Sequence, residues 1–338
     1  MIHPKRLLIT GGAGYIGSHM LLAAKDKGYD LTVVDNLSTG HESNLVAGKF
    51  ILGDLQDNRF VQDLFAKHSF DAVVHFAGLA SVPESIQYPE RYYLNNTCAT
   101  FNLVQACLQH KVKHFLFSSS AAVYGHHPSG FVNESSPTHP MNPYGQSKLM
   151  AEQIIQDCAK AHGMSTAILR YFNVAGVDAA CRVGPFSHKV TPLMKAVVET
   201  ALRQRPFLEV YGEDYPTPDG TGVRDFIHIN DLISAHLLAL NYLFNENQSI
   251  LLNCGYGCGF SVKQVVEATR LALQTPVPIQ VAPARQGDCA QMVADPTLLK
   301  ERLGWRPQFN QLELMIESTY RWEMAQCQSS HKEEAALI

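Results

Sequence analysis

Short apolar runs alternate with longer amphipathic stretches along the first half of the chain. The short runs are rich in β-branched and aromatic residues and predict strands at 6–10, 31–34, 50–52, 72–76, 114–117 and 166–171. The longer stretches predict helices at 15–27, 58–67, 89–110 and 143–162. Because the strands are apolar on both faces, they predict a parallel sheet covered by helices on each side. The handedness of such crossovers then predicts an α/β fold with a doubly wound parallel sheet, the Rossmann fold.

The pattern changes after about residue 173. Gly, Pro and polar residues cluster at 176–192 and 211–222, and a helical stretch at 192–204 separates them. A loop-rich region of this kind is expected to supply substrate contacts. Residues 225–240 and 250–254 are predicted to return to the sheet or its edge, and the chain from Cys327 is predicted to be frayed. We therefore predict a first domain at 1–175, with returns near 225–254, and a mainly substrate-binding domain at 176–338.

Composition narrows the class of protein. Hydrophobic residues make up 46% and charged residues 17% of the chain, which is typical of a globular fold. A formal net charge of -4 predicts no general attraction to nucleic acid, and no apolar run reaches the ~18 residues of a membrane span. The sequence enters an apolar strand without a signal-peptide pattern, so a cytoplasmic location is expected. The eight cysteines include no Cys-x-x-Cys pair, so ordinary thiols are favoured over a zinc site and no metal is expected.

A glycine-rich turn follows the first predicted strand directly. Gly11, Gly14 and Gly17 lie between that strand and the next helix. Glycines at this spacing allow a tight turn and close approach to a pyrophosphate, which the N-terminus of the helix attracts. Asp35 ends the second strand, where its carboxylate can accept from ribose hydroxyls and repel a 2′-phosphate. The motif therefore predicts a dinucleotide site that takes NAD rather than NADP.

Two further segments fit the same site. Asp54 follows the third strand, where its carboxylate can bond to adenine; an N-cap of the next helix is the alternative interpretation. The segment from His75 to Gly78 ends the fourth strand with small residues that let backbone lie against a cofactor. Both segments come at the carboxyl ends of predicted strands, as the glycine-rich turn does.

A tyrosine and a lysine begin the helix predicted at 143–162. Tyr144 and Lys148 are four residues apart, so their side chains share one helix face. The ammonium, together with a nicotinamide ring, would lower the pKa of the tyrosine and let it act as a base. Ser120 ends the fifth strand and can share a substrate hydroxyl with that tyrosine. A surface pair and a polar strand end are the alternative interpretations; beside the glycine-rich motif, the residues favour a dehydrogenase-type site.

Several longer segments carry a family resemblance. They are TGGAGYIGSH, VVDNLSTG, HFAGLASVPES, FSSSAAVYG, NPYGQSKLMAEQ, LRYFNVAG, YGEDYPTPDGTGVRDFIHINDL, RQGD and LGWRP. On these segments, which extend over roughly residues 6–325, the chain resembles the extended short-chain dehydrogenase/reductase family and, within it, the UDP-glucose 4-epimerases.

The resemblance implies roles for individual residues. It implies NAD contacts by Tyr15, Ile16, Asp35, Asn36, Asp54, Leu55, Phe76, Ala77, Asn95, Lys148 and Phe172. It implies that Tyr144 takes the proton of the sugar 4-hydroxyl while the hydride passes to NAD, with Ser120 assisting. It implies UDP contacts by Asn173, Tyr211, Arg224, Arg285 and Asp288. Arginines would pair with the diphosphate and Tyr211 would stack on uracil, so the 4-keto sugar could turn over and take the hydride back on its other face. A homodimer formed by 89–110 and 143–162 is also implied, although their apolar residues could equally be core.

Three positions depart from the family pattern. Ala80 stands where some members carry lysine, and Lys189 where relatives often carry asparagine or histidine. Met292 lies where a side chain limits room for an N-acetyl group; because methionine is flexible, the UDP-N-acetylglucosamine pair stays open as the second choice.

Other functions fit the residues less well. The 4,6-dehydratases carry Asp-Glu where this chain has Ala121 and Ala122. A UDP-glucuronate decarboxylase would need a group for the sugar carboxylate, and none is identified. A non-catalytic NAD-binding scaffold predicts loss of Ser120, Tyr144 or Lys148, yet all are present.

Overall fold

The computed structural model describes residues 4–186 and 192–336. The strands are β1 (Arg6–Thr10), β2 (Asp30–Asp35), β3 (Lys49–Leu52), β4 (Ala72–His75), β5 (His114–Ser120), β6 (Phe131–Val132), β7 (Ser165–Tyr171), β8 (Asn173–Ala175), β9 (Leu208–Tyr211), β10 (Val223–His228), β11 (Ile250–Cys254), β12 (Gly259–Ser261), β13 (Ile279–Ala282) and β14 (Gln291–Ala294). The α-helices are α1 (Tyr15–Asp26), α2 (Asn58–Lys67), α3 (Val82–Gln87), α4 (Pro89–Tyr92), α5 (Ala99–Gln109), α6 (Pro143–His162), α7 (Leu193–Ala201), α8 (Ile229–Glu246), α9 (Val262–Leu273), α10 (Thr297–Leu303) and α11 (Leu312–Ala336). Lys189, one of the three departures from the family pattern, lies outside the described residues.

A parallel sheet organises the first part of the molecule. In the described chain it has seven strands in the order β3-β2-β1-β4-β5-β7-β11, and every neighbouring pair is parallel. From the centre of the sheet, β1, β2 and β3 follow one another toward one edge, and β4, β5, β7 and β11 follow one another toward the other. The predicted doubly wound Rossmann fold is therefore confirmed. The reversal between β1 and β4 creates a crevice at the carboxyl ends of these strands, where such folds bind ligands.

Helices bury both faces of this sheet. Along β1, Leu7 and Ile9 belong to one core, and Leu8 between them belongs to the other. Helices α1 and α8 pack together beside the first core, and α2, α5 and α6 pack beside the second. A fully buried Leu or Ile contributes about 1.5–3 kcal/mol. Burial on both sides is the physical reason that these strands read as continuous apolar runs.

The second part of the molecule contains smaller sheets. One has the order β12-β10-β14-β6, with β8 also paired to β10, and another consists of β13 and β9. Helices α7, α9 and α11 pack around a third core. Of the two predicted returns, only 250–254 adds a strand to the parallel sheet; β10 joins the smaller sheet, while α8 covers the large one. The prediction that the chain frays from Cys327 is wrong, because α11 continues to Ala336.

The helix predicted at 89–110 is divided by a π-helical segment. Tyr93–Cys98 is π-helical and joins α4 to α5. The π-helical segment contains Asn95 and Asn96, and Asn95 lines the cleft described below. Segments of this kind often occur at functional sites. Hydrophobic periodicity alone could not reveal the change, because the apolar spacing on either side stays helical.

Candidate active site

A cleft of about 1100 Å³ opens at the carboxyl ends of β1, β4 and β5. Its walls come from the glycine-rich turn, the serine run of β5 and the first turn of α6 on the side of the large sheet. Residues near 173, 224 and 287–292 complete it from the second part of the molecule. The fold therefore brings the predicted cofactor motif and the predicted catalytic pair to one cavity.

The turn between β1 and α1 requires glycine at two positions. Gly11 has φ +72°, and a Cβ there would lie 2.5 Å from the backbone nitrogen of Ala77. A Cβ on Gly17 would lie 2.1 Å from the carbonyl oxygen of Gly11. Gly14 is the N-cap of α1 and offers no side-chain cap, so the first N–H groups of the helix remain available to an anion. This arrangement fits a pyrophosphate.

Asp35 supports the same turn from the end of β2. Its Oδ2 accepts from the backbone N–H of Ala13 at 2.9 Å, and its Oδ1 accepts from that of Leu37 at 2.8 Å. Burial raises the pKa of Asp35, and these backbone hydrogen bonds oppose the rise. Each carboxylate oxygen keeps a further acceptor position, which fits a ribose hydroxyl. A carboxylate at this position would also repel a 2′-phosphate.

The other predicted cofactor residues lie around the same cavity. The cleft is lined by Gly11, Gly14, Tyr15, Ile16, Gly17, Asn36, Asp54, Phe76, Gly78, Asn95, Lys148 and Phe172. An adjoining recess of about 90 Å³, which shares several of these residues, adds Asp35, Leu55 and Ala77. The contacts of these residues with NAD stay predictions, but their placement along one edge fits an extended dinucleotide.

Asp54 does not cap the following helix. Its Oδ1 accepts from the backbone N–H of Gln56 at 2.8 Å, and its Oδ2 accepts from the side chain of Asn36 at 3.1 Å. The N-cap of α2 is Asp57, which accepts from the N–H groups of Arg59 and Phe60. The alternative interpretation of Asp54 is therefore wrong, and its carboxylate borders the recess.

Tyr144 and Ser120 meet inside the cleft. Asn142 caps α6 by accepting from the N–H of Gly145 at 2.9 Å, and Pro143 begins the helix, so Tyr144 lies in its first turn. Ser120 ends β5 and accepts from the N–H of Ala122 at 3.2 Å. Burial raises the pKa of Tyr144, and a hydrogen bond with the Ser120 hydroxyl partly offsets the rise. The two hydroxyls are thus placed to share one substrate hydroxyl.

Lys148 lies one turn farther along α6 and is buried. Its Nζ donates to the carbonyl oxygen of Ser118 at 2.9 Å and lies 5.0 Å from the centre of the Phe117 ring. Burial lowers the pKa of Lys148 to about 8, and the charge of Glu152 opposes that change. Within the chain alone, burial raises the pKa of Tyr144. The predicted lowering also requires a bound nicotinamide ring, so it stays a prediction.

The predicted substrate residues are only partly brought together. Asn173, Arg224 and Asp288 line the cleft, as do the departures Ala80 and Met292. Arg224 is held by a hydrogen bond from its Nη1 to the carbonyl oxygen of Val223 at 2.9 Å.

Tyr211 and Arg285 lie apart from that group. The guanidinium carbon of Arg285 lies 3.5 Å from the centre of the Tyr211 ring, so the arginine covers one face of the ring. Among the described residues that line the cleft, neither is present. Stacking of Tyr211 on uracil and pairing of Arg285 with a diphosphate stay predictions.

Asn96 is a site residue that the sequence did not reveal. It is buried, its Oδ1 accepts from the N–H of Leu79 at 2.8 Å, and its Nδ2 donates to the carbonyl oxygen of Leu79 and to Ser147, each at 3.0 Å. It thereby fixes the backbone of Leu79, which lines the cleft, against α6. An asparagine within the helix predicted at 89–110 was the available signal in the sequence. Its role could not be predicted, because its partners Leu79 and Ser147 are remote in sequence.

Comparisons with known proteins agree with this geometry. The model of the NAD dependent epimerase/dehydratase family matches residues 7–255. The chain belongs to this family. A UDP-glucose 4-epimerase of Azospirillum brasilense is 44% identical over 325 residues, which cover 96% of this chain and 93% of that relative.

Solved structures of the family are similar throughout. A UDP-glucose-4-epimerase from Stenotrophomonas maltophila, with bound NAD and formylated UDP-arabinopyranose, has a TM-score of 0.91 and 38% identity, covering 97% of this chain and 100% of that one. The UDP-Glc/GlcNAc 4-epimerase from Campylobacter jejuni has a TM-score of 0.82 and 43% identity, covering 95% and 99%. The predicted family and the predicted NAD cofactor are therefore confirmed.

The described residues contain neither a membrane-spanning helix nor a cluster of metal-binding side chains. In residues 4–186 and 192–336, no helix has both the length and the apolar character needed to cross a membrane. The His, Cys, Asp and Glu side chains of the described chain form no group of three or more that could hold a metal ion.

Proposed function

We propose that the chain interconverts UDP-galactose and UDP-glucose by inverting carbon 4 of the sugar, an isomerase reaction of galactose metabolism. The observation that carries the proposal is that Tyr144, Ser120 and Lys148 line one cleft together with the glycine-rich turn. An acid–base hydroxyl and a dinucleotide cradle in one cavity are what removal and return of a hydride require.

The residues of the chain divide the chemistry between them. Bound NAD supplies the acceptor, and later the donor, of the hydride at carbon 4. Tyr144 takes the proton of the 4-hydroxyl and gives it back, while Ser120 holds the same oxygen. Because burial raises the pKa of Tyr144, its phenolate needs positive charge nearby, and Lys148 on the same helix face provides it.

Inversion also requires a substrate that is held at one end. Asn173, Arg224 and Asp288 line the cleft. We propose that they bind the UDP part together with Tyr211 and Arg285. Charge-assisted bonds to the diphosphate would carry most of the binding free energy. The 4-keto sugar would then be free to turn and present its opposite face to the hydride.

A second substrate pair is the 2-acetamido sugars. Met292 is buried in the cleft wall, and its flexible side chain can adopt another rotamer at a small cost in free energy. The Campylobacter jejuni relative is named for both Glc and GlcNAc substrates. Dehydration is disfavoured, because Ala121 and Ala122 follow Ser120 and offer no acid–base group.

We also propose that the two predicted domains bind different molecules. Residues 1–175, with the later returns, would hold NAD, and 176–338 would mainly hold the UDP-sugar. The eight free cysteines favour a reducing compartment and so support a cytoplasmic location.

A homodimer is proposed from exposed apolar side chains on neighbouring helices. Leu94 and Phe101 keep 52% and 45% of their surface exposed, and Met150 on α6 keeps 40%. Helix α6 packs against both the π-helical segment and α5, so these residues can form one face. Apolar groups of this size at one surface favour contact with a second copy.

The decisive experiment offers purified protein UDP-galactose and, separately, UDP-N-acetylgalactosamine, with no NAD added. The products are followed by ¹H NMR. We expect UDP-glucose from the first substrate until equilibrium is reached. Conversion of the second at a similar rate would make the 2-acetamido pair the substrates as well. Loss of the 6-hydroxyl, or no conversion by protein that contains NAD, would contradict the proposed reaction.

A further inference from the structure

A buried asparagine joins the glycine-rich turn to a segment that lies 140 residues beyond the asparagine itself in sequence. Asn44 ends a short 3₁₀ helix, Glu42–Asn44, and is 1% exposed. Its Nδ2 donates to the carbonyl oxygens of Ala13 and Gly184, both at 3.0 Å, and its Oδ1 accepts from the N–H of Gly184 at 3.1 Å. Gly184 thus obtains both of its backbone hydrogen bonds from one side chain.

The two segments joined by Asn44 have independent supports. His41 donates its backbone N–H to the carbonyl oxygen of Ala13 at 3.0 Å, which fixes the 3₁₀ helix to the turn. On the other side, a Cβ on Gly184 would lie 2.5 Å from the Trp322 ring, so Gly184 packs tightly on α11. Phe186 stacks on the ring of His41 at 4.2 Å and meets the edge of Trp322 at 5.1 Å.

These groups form part of the wall of the cofactor cleft. His41, Asn44, Pro185 and Phe186 line the same cavity as Gly14. Gly14 is the N-cap that leaves the helix N–H groups available to a pyrophosphate. A dinucleotide in the cradle therefore borders both segments, and Asn44 provides the polar link that keeps them together.

We propose that Asn44 is a positioning residue that retains NAD by holding segment 184–186 beside the glycine-rich turn. The inference rests on the proposed function, because an epimerase must keep its cofactor through both half-reactions. Without Asn44, the N–H and C=O of Gly184 lose their partners, and the segment separates from the turn more often. NAD then dissociates faster, although Tyr144, Lys148 and Ser120 are unchanged.

Two substitutions test the link in different ways. Asn44→Ala removes all three hydrogen bonds. Asn44→Asp keeps the size and the acceptor for Gly184, but it sets a carboxylate oxygen against the carbonyl oxygens of Ala13 and Gly184. NAD content is measured in the purified proteins by absorbance and enzymatic cycling, and the dissociation rate is measured by dilution into an NAD-consuming trap. We expect dissociation at least about tenfold faster in both variants, as the loss of two or three hydrogen bonds predicts.

Asn253→Ala is the matched control. Asn253 is also fully buried, and it accepts from the Tyr124 hydroxyl at 2.6 Å and donates to the carbonyl oxygen of Val132 at 3.1 Å. It is not among the described residues that line the cleft. Its loss should lower thermal stability while NAD is retained as in the unsubstituted protein.

The outcomes separate this inference from the proposed function. Retention of NAD by both Asn44 variants, or equal loss from the Asn253 variant, would overturn the role of Asn44. Unsubstituted protein that holds NAD but leaves UDP-galactose unchanged would instead overturn the proposed reaction. The role of Asn44 is supported if NAD is released faster from both Asn44 variants and not from the Asn253 variant.

Discussion

Tyr144 lies in surroundings that oppose its own ionisation. Burial raises the pKa of its hydroxyl, and the hydrogen bond with Ser120 opposes the rise only in part. A residue that must take a proton and give it back benefits from a pKa near the working pH. Positive charge close to the phenol therefore decides whether Tyr144 can act, and Lys148 is the cation that the helix places on its face.

Replacing Tyr144 by Phe tests this role at the scale of one atom. The variant keeps the ring, whose centre lies 6.3 Å from that of Tyr92, and loses only the hydroxyl. Turnover of UDP-galactose should fall by about 10²–10⁴-fold, the usual contribution of one acid–base group. NAD content should equal that of the unsubstituted protein. Undiminished turnover in this variant would remove Tyr144 from the mechanism.

The role of a single residue could be predicted from the sequence where it depends on residues close to it along the chain. Gly11 and Gly17 could be assigned to a tight turn because spacing alone carries that information. Asn44 and Asn96 could not be assigned, since their hydrogen-bond partners come from distant parts of the chain. The stacking of Arg285 on Tyr211 joins residues 74 positions apart (285 minus 211) and was likewise not visible.

Helix α6 is the element that connects the catalytic hydroxyl to the core of the sheet. One turn beyond Lys148, Glu152 accepts from Arg170 on β7 through two hydrogen bonds, of 2.9 and 2.6 Å. Ser119 on β5 donates to the same carboxylate. Both members of the ion pair are buried. The position of α6, and with it that of Tyr144, is thus fixed by a charged contact rather than by apolar packing alone.

Glu152→Gln should change both stability and the pH dependence of turnover. Leaving Arg170 without its carboxylate costs about 3–5 kcal/mol of unfolding free energy. Lys148 has a pKa lowered to about 8, so it loses its positive charge as the pH rises through that value, and turnover that needs the ammonium falls there. Because the charge of Glu152 raises this pKa, the fall should begin at lower pH in the variant. Urea unfolding and a pH–rate profile at saturating substrate measure the two effects.

Glu199→Gln is the control for that experiment. Glu199 is buried and pairs with Lys195 at 3.1 Å in the second part of the molecule. Its loss should also destabilise the protein, but the alkaline side of the pH profile should stay in place. Equal displacement in both variants would show that Glu152 has no specific effect on Lys148.

The elements of the first half could be predicted because each carries a long, regular pattern. The bounds 58–67 and 143–162 agree with α2 and α6 to the residue. The π-helical turn was missed, since it changes the backbone without changing the apolar pattern. β6, β8 and β12 were missed because strands of two or three residues hold too little sequence to show alternation.

The proposed dimer contact contains the exposed apolar residues Leu94, Phe101 and Met150. Phe101→Glu should convert a dimer to a monomer, because a carboxylate would be buried without a partner at the contact. Light scattering coupled to gel filtration gives the mass. Leu271→Glu changes a side chain that is 71% exposed on α9 and should leave the mass unchanged. An unsubstituted protein with the mass of one chain would exclude the dimer.

At the largest scale, the sequence predicted the parallel sheet but not the sheets of the second part. Handedness and alternation restrict the order of strands that follow each other through helices. No such rule applies to β10, whose neighbours β8, β12 and β14 come from three separate segments. The residues that complete the cleft from this side, such as Arg224, were therefore placed by family resemblance and not by pattern.

One edge strand of the parallel sheet, β11, has a consequence for how the protein is made. β11 pairs with β7 along its whole length, from Ile250 with Ala167 to Cys254 with Tyr171. During synthesis, β7 leaves the ribosome about 80 residues before its neighbour does (250 minus 171 is 79). Throughout that interval the nascent chain presents an apolar, unpaired strand edge, the kind of surface that chaperones cover and that aggregates form on.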